Sequence, residues 1–157
     1  VLAAKVNTME AATDRLLALR VSDVMTQDVA RVFPSHTMAQ AAEIFTRHKV
    51  SSAPVVDESG TCIGILSATD FLSRDQEARG REGNRAETVL DCMTPTVFSV
   101  ALGSSLLTAA RVMDDKHVHR LPVIDESGCP VGIVSTMDIV ATMINAIDEL
   151  KSSLSNS

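Results

Sequence analysis

Twice in this chain a hydroxyl and a carboxylate stand three residues apart at the end of an apolar run: Gly64-Ile-Leu-Ser67-Ala-Thr-Asp70 and Gly132-Ile-Val-Ser135-Thr-Met-Asp138. Ser-x-x-Asp is the spacing of a capping box, in which the two side chains satisfy backbone amides at the start of a helix. The same geometry suits a ligand. A helix N-terminus offers free amides and partial positive charge to an anion, the hydroxyl adds a hydrogen bond, and a carboxylate can accept from both hydroxyls of a ribose. Hydroxyl plus carboxylate at a helix start therefore fits a nucleotide better than a bare phosphate. Ahead of the second copy, His119-Arg120 supply an imidazole donor and a guanidinium that can grip phosphate oxygens bidentately. Ser51-Ser52 hold the matching place in the first copy and carry no charge. A charge-assisted contact is worth about 1.5–3 kcal/mol, or roughly ten- to a hundred-fold in affinity, so two clefts are expected with different preferences for phosphate.

The chain has no Trp or Tyr and 4 Phe, so an adenine would lie between aliphatic side chains and backbone. Val29, or Val97 with Phe98, can line such a slot, and each can equally be ordinary core. His117 and His119 form an H-x-H without a nearby third ligand, which is too little for a metal site. No Gly-rich phosphate loop, G-x-S-x-G or H-E-x-x-H occurs, and no Cys has a placed base, so a catalytic reading has no nucleophile. The expected class is binding, with no catalytic residue and no metal.

The whole chain agrees with a local anion site. Its 157 residues carry 14 Lys and Arg against 20 Asp and Glu, a net charge of -6, which argues against nucleic acid or an anionic membrane as partner. Cys62, Cys92 and Cys129 form no C-x-x-C and read as reduced thiols. No apolar run approaches the roughly 18 residues of a membrane span, and no signal-peptide layout opens the chain, so a cytoplasmic protein is expected.

The elements that must position these residues come as a duplication. Setting Met25 on Met93, an offset of 68, brings Pro54-Val55 onto Pro122-Val123, Asp57-Glu-Ser-Gly60 onto Asp125-Glu-Ser-Gly128, and Asp70 onto Asp138 without a gap. Val29 to Val32 and Val97 to Val100 alternate as short strands. Met38, Ala41, Ala42 and Phe45, matched by Leu106, Ala109, Ala110 and Met113, form the stripe of an amphipathic helix, with Thr37 and Gln40 as a capping box in the first copy. The Asp-Glu-Ser-Gly turns close hairpins, and a second helix begins near Asp70 or Asp138. Strand, helix, strand, strand, helix, twice over, leaves apolar sheet that the two halves can cover for each other. The expected fold is α+β, two βαββα repeats packed about a pseudo-twofold axis with an additional N-terminal helix. The expected divisions are 1–20 (helical from about residue 8), 21–72 as repeat 1, 73–88 as a polar connector, 89–150 as repeat 2 with a C-terminal helix, and 151–157 as a polar tail.

V-x-x-x-M-T at 21–26 and 89–94, the Pro-Val-x-Asp hairpin entries and the closing G-h-h-S-x-x-D resemble a tandem pair of CBS domains, the module named after cystathionine beta-synthase. The resemblance covers about residues 21–140. It implies paired βαββα units with two clefts, frequent dimerisation of such pairs, and regulatory rather than catalytic binding of AMP, ADP, ATP or S-adenosylmethionine. On this likeness Asp70 and Asp138 match the ribose carboxylate, and Ser67 and Ser135 the hydroxyl beside phosphate. VHRLPVID is similar to a segment of AMP-activated protein kinase gamma subunits, which implies a phosphate role for His119 and Arg120. The expected partners are an adenine nucleotide as regulatory ligand, a second copy of the chain, and a regulated enzyme or transporter, with no required cofactor. Alternatives are an assembly module whose motifs serve only as caps, and an S-adenosylmethionine sensor.

Overall fold

Why each repeat folds as it does is visible in its helix stripe and its turn. Met38, Ala41 and Phe45 point from helix α3 (Met38–His48) into one core, and Leu106, Ala109 and Met113 from α6 (Leu106–Lys116) into a second. Thr37 caps α3 with Gln40 as expected, and Ser105 accepts from the Thr108 amide to cap α6. Each helix is followed by an antiparallel hairpin: β1 (Ser52–Val56) with β2 (Cys62–Ser67), and β5 (Arg120–Ile124) with β6 (Pro130–Ser135). Gly60 and Gly128 take positive φ at the tips, 84° and 80°, where a side chain would be strained. Asp57 Oδ1 accepts from the Ser59 hydroxyl and from the Ser59 and Thr61 amides. These bonds, led by the Ser59 hydroxyl, hold its carboxyl below the usual carboxylate range.

The computed structural model describes residues 1–27, 29–77, 87–95 and 98–156. Around the two hairpins it places α1 (Leu2–Ala18), the single-turn helices α2 (Val21–Val24) and α5 (Val89–Cys92), α4 (Ala68–Glu77), the short strands β3 (Thr94–Pro95) and β4 (Val100–Ala101), and α7 (Thr136–Ser155). The α+β reading holds, with sheets ordered β1-β2-β3 and β4-β5-β6. β1 lies against β6 and β2 against β5 across the seam. No helix among the described residues is long and apolar enough to cross a membrane.

The repeats are not self-contained, which the offset alone did not reveal. Val21 opens the first repeat but packs in the core of the second with Leu121, Val123 and Val134; Val89 does the reverse, beside Val32, Val55 and Leu66. The Met-Thr segments cross in the same sense. Thr94 pairs with Ile65 in the sheet of the first repeat, and Thr26 bridges Ile133 in the second. Gly64 and Gly132 lie under these crossing strands. A Cβ on Gly64 would stand 2.7 Å from Met93 Sδ and 2.9 Å from the Thr94 carbonyl oxygen, and one on Gly132 would overlap Met25 Sδ. The paired Met and Gly of the duplication thus interlock between copies.

Three expectations need correction. Val29 to Val32 is not a strand: only Val32 reaches the sheet, as a single parallel bridge to Val55. Phe33 donates its amide to His36 instead, and Pro34 has no amide to extend a ladder. Its counterpart is the short β4, and Val97 lies outside the described residues. The N-terminal helix starts at Leu2 rather than near residue 8, in a stretch rich in Ala. The polar tail is largely helix, since α7 runs to Ser155 without a Gly or Pro to stop it.

Candidate functional site

The site grows from the end of the second hairpin. The β5–β6 ladder sets Arg120 directly opposite Ser135, and the Thr136 amide donates to the His119 carbonyl at 3.0 Å. Ser135 is the N-cap of α7. Its hydroxyl accepts from the Asp138 amide at 3.2 Å, while Asp138 Oδ2 accepts from the Ser135 amide at 2.8 Å and from its hydroxyl at 3.0 Å. The capping box is therefore real, but it occupies one carboxylate oxygen. Asp138 Oδ1 takes part in none of the hydrogen bonds found among the described residues, and the side chain is only half-buried. Cap and ligand acceptor are compatible in one residue.

These groups border a cleft of about 440 Å³, within the roughly 300–1,000 Å³ typical of small-molecule sites. His119, Arg120, Ser135 and Asp138 form the wall from the second repeat, with Ile133, Thr136 and Met137. The first repeat supplies Thr26, Val29 and the run Lys49 to Ser52. Lys49 ends α3 in the left-handed conformation, φ 53°, which turns the chain from helix into β1 along the cleft edge. The cleft gathers Lys49, Arg120 and an imidazole against one carboxylate, although the chain as a whole is acidic. Ile133, Val29 and Met137 give it apolar surface. Such a set can hold an anionic group beside a hydroxyl-bearing ring with an apolar face.

Five of the nine residues singled out from sequence, Val29, His119, Arg120, Ser135 and Asp138, thus share one cleft. Ser67 and Asp70 repeat the cap at the start of α4: Asp70 Oδ2 accepts from the Ser67 amide at 2.7 Å and its hydroxyl at 3.2 Å. Ser52 stands opposite Ser67 where Arg120 stands opposite Ser135. This pair is not part of the Asp138 cleft. Phe98 packs against the core of the second repeat, with the Lys116 ammonium 5.3 Å from its ring centroid; Val97 is outside the described residues.

Lys49, Thr26, Ile133 and Met137 were missed as cleft residues. The duplication offered a signal for Lys49, which aligns with His117, and both take positive φ at the end of their helices. Ser51-Ser52 were read as the uncharged alternative to His-Arg, yet they face the same cleft. His117 ends a helix rather than sharing a strand face with His119, and no group of three His, Cys, Asp or Glu able to hold a metal occurs among the described residues.

Comparison with known proteins adds an independent line. The family model described as CBS domain matches residues 21–77 and again 89–145. CBS domain-containing protein YhcV of Bacillus subtilis is 34% identical over 125 residues, covering 80% of this chain and 86% of that protein. A crystal structure of CBSX2, a protein of Arabidopsis thaliana, in complex with AMP superposes with a TM-score of 0.67 at 31% identity, covering 81% of this chain and 97% of that one. A homoserine O-acetyltransferase of Methanohalophilus mahii is 29% identical over 126 residues; the match covers 80% of this chain and 24% of the enzyme.

Proposed function

Since the chain belongs to the CBS-domain family and carries two such domains in tandem, we propose that it is a non-catalytic regulatory module. It binds an adenosine-containing ligand, AMP, ADP or ATP, between its repeats and passes that state to a partner enzyme or transporter. The observation that carries this reading is the cleft itself: Asp138 keeps one oxygen for a ribose at the head of α7, and Arg120 and His119 lie on the same wall to meet phosphate. Val29, Ile133 and Met137 are the adenine-facing surface. The CBSX2 structure named above holds AMP, and similarity to one stretch of a homoserine O-acetyltransferase agrees with a module that accompanies enzymes. Ser67 and Asp70 mark a second, less cationic site.

Titration calorimetry with AMP, ADP, ATP and adenosine tests this. Saturable binding of the phosphorylated ligands is expected. Arg120→Ala should weaken it by about ten- to a hundred-fold and leave adenosine less affected. Asp138→Asn keeps an acceptor for the Ser135 amide, so the helix cap survives while the ribose site is impaired. Unchanged affinity in both variants, or no heat with any ligand, overturns the reading. Tight S-adenosylmethionine binding that is indifferent to Arg120→Ala would replace the nucleotide by that ligand.

A further inference from the structure

Beside the Asp138 cleft lies a second cavity, of about 520 Å³, between α6 and the start of α7. Its floor is apolar: Met113 is buried, and Ala110, Val118 and Ile139 are half-buried. Asp114 and His117 stand exposed at its rim. The Asp114 carboxylate takes part in none of the hydrogen bonds found among the described residues. No Lys or Arg is on the lining, which sets this cavity apart from the cleft with Lys49 and Arg120, although His119 and Thr136 border both. The offset of 68 locates the same place in the first repeat, and there protein fills it. Met113 corresponds to Phe45 and Ile139 to Phe71, and those two rings meet edge to face with centroids 5.3 Å apart. Asp114 corresponds to Thr46. The duplicated frame thus holds aromatic rings here in one copy, and in the other offers two ringless side chains and a carboxylate.

We propose that this cavity is a binding site for a small molecule with an aromatic ring on a short chain that ends in an ammonium or amidinium group. The ring takes the place that Phe45 and Phe71 fill in the first repeat. It lies against Met113, whose thioether is adaptable and makes favourable contacts with ring edges. The cationic end stays at the rim beside Asp114, where water remains, so no charge is buried without a partner. A phosphate or carboxylate guest has no Lys or Arg to meet here, and it would face Asp114 instead. The cavity is of the size that small molecules occupy. This inference does not depend on the nucleotide reading, since the groups that attract phosphate line the other cleft.

Titration of the nitrogen-labelled full chain with phenethylamine, followed by amide NMR spectra, tests it. Phenylpropionate, with the same ring and opposite charge, and hexylamine, with the same charge and no ring, are the controls. Saturable shifts at Val118, His119 and Thr136 are expected with phenethylamine alone. A dissociation constant of about 1 mM is within reach of a ligand of about nine heavy atoms. Met113→Phe with Ile139→Phe rebuilds the aromatic pair of the first repeat and should abolish the shifts. Asp114→Asn, at an exposed position, should weaken binding about two- to five-fold. A dispersed spectrum shows that each variant is folded; should the double variant fail to fold, Ile139→Phe alone, at a half-buried position, decides. No shift with phenethylamine, or equal shifts with either control, overturns the proposal. So does binding that survives the aromatic pair or is indifferent to Asp114→Asn.

Discussion

Replacing Gly132 by alanine loads the crossing of the two repeats at its tightest point. A Cβ there would stand 2.9 Å from Met25 Cγ and 3.0 Å from the Thr26 carbonyl oxygen, and would overlap Met25 Sδ. Methionine can move; the carbonyl is held. The Thr26 amide donates to the Ile133 carbonyl at 2.9 Å, and the Ile133 amide donates to Thr26 at 3.1 Å, so a shift of the strand stretches both bonds. Overpacking of this kind costs about 1–3 kcal/mol. Alanine also restricts the unfolded chain, which returns about 0.4–1 kcal/mol where the backbone tolerates it. The clash wins, with an expected net loss of about 1–2 kcal/mol and a Tm lowered by roughly 2–8 °C for a chain of this size. Urea unfolding followed by circular dichroism measures it, since the chain has no Trp. Gly64→Ala should behave alike, with Met93 Sδ and the Thr94 carbonyl at 2.7 and 2.9 Å. An unchanged or raised midpoint in both variants would refute the claim that each repeat is closed by the other.

Other expectations follow from single contacts. Ser135→Ala removes the hydroxyl that accepts from the Asp138 amide and should cost about 1 kcal/mol, read from the same urea curves. Gly128→Ala forces a side chain into the left-handed region at φ 80° and should cost about 1–2 kcal/mol, whereas Gly103→Ala, with open space around its Cβ position, should be close to neutral; thermal melts of the two separate strain from a general effect of losing glycine. Asp57 is held below its ordinary value, first by the Ser59 hydroxyl. Its stabilisation is present above the unfolded carboxylate range and is lost as pH falls through the lowered folded value. Asp57→Asn should therefore flatten the acid side of a Tm-against-pH profile below about pH 4, and an unaltered acid limb would contradict that assignment.

Features written in neighbouring residues were legible in the sequence, and features written in the relation between copies were not. The helix stripes of α3 and α6 and the Asp-Glu-Ser-Gly turns are local, so periodicity and turn chemistry suffice. The crossing of Val21 and Val89 is not local. An offset of 68 says that two segments are equivalent, but the same pairs of residues satisfy it whether each opening segment stays home or changes sheet. The short helices α2 and α5 escaped notice because one turn has no periodicity to detect. Within the site, Asp138, Ser135, His119 and Arg120 were legible because the ladder and the cap that join them are also sequence-local. Phe98 stays ambiguous in sequence because an aromatic residue next to a suspected slot looks the same whether it faces the slot or the core; here it packs against the core of the second repeat.

The crossing also explains why the cleft lies between the repeats. Thr26 bridges Ile133 on β6 of the second repeat, and both residues line the cleft that Asp138 borders. The chain that leads on from Thr26 brings in Val29, and the end of α3 then delivers Lys49 and Ser51-Ser52 from the far side. Neither repeat alone has these surfaces, since Asp138 and the Arg120 guanidinium belong to one copy while Lys49 and the Thr26 segment belong to the other. Repetition supplies two similar halves; the exchange of their opening strands makes a shared cavity out of the seam. Once the halves interlock, Ser51-Ser52 of one copy and His119-Arg120 of the other face a single cleft, so the charge that distinguishes the copies falls on one wall of a shared cavity.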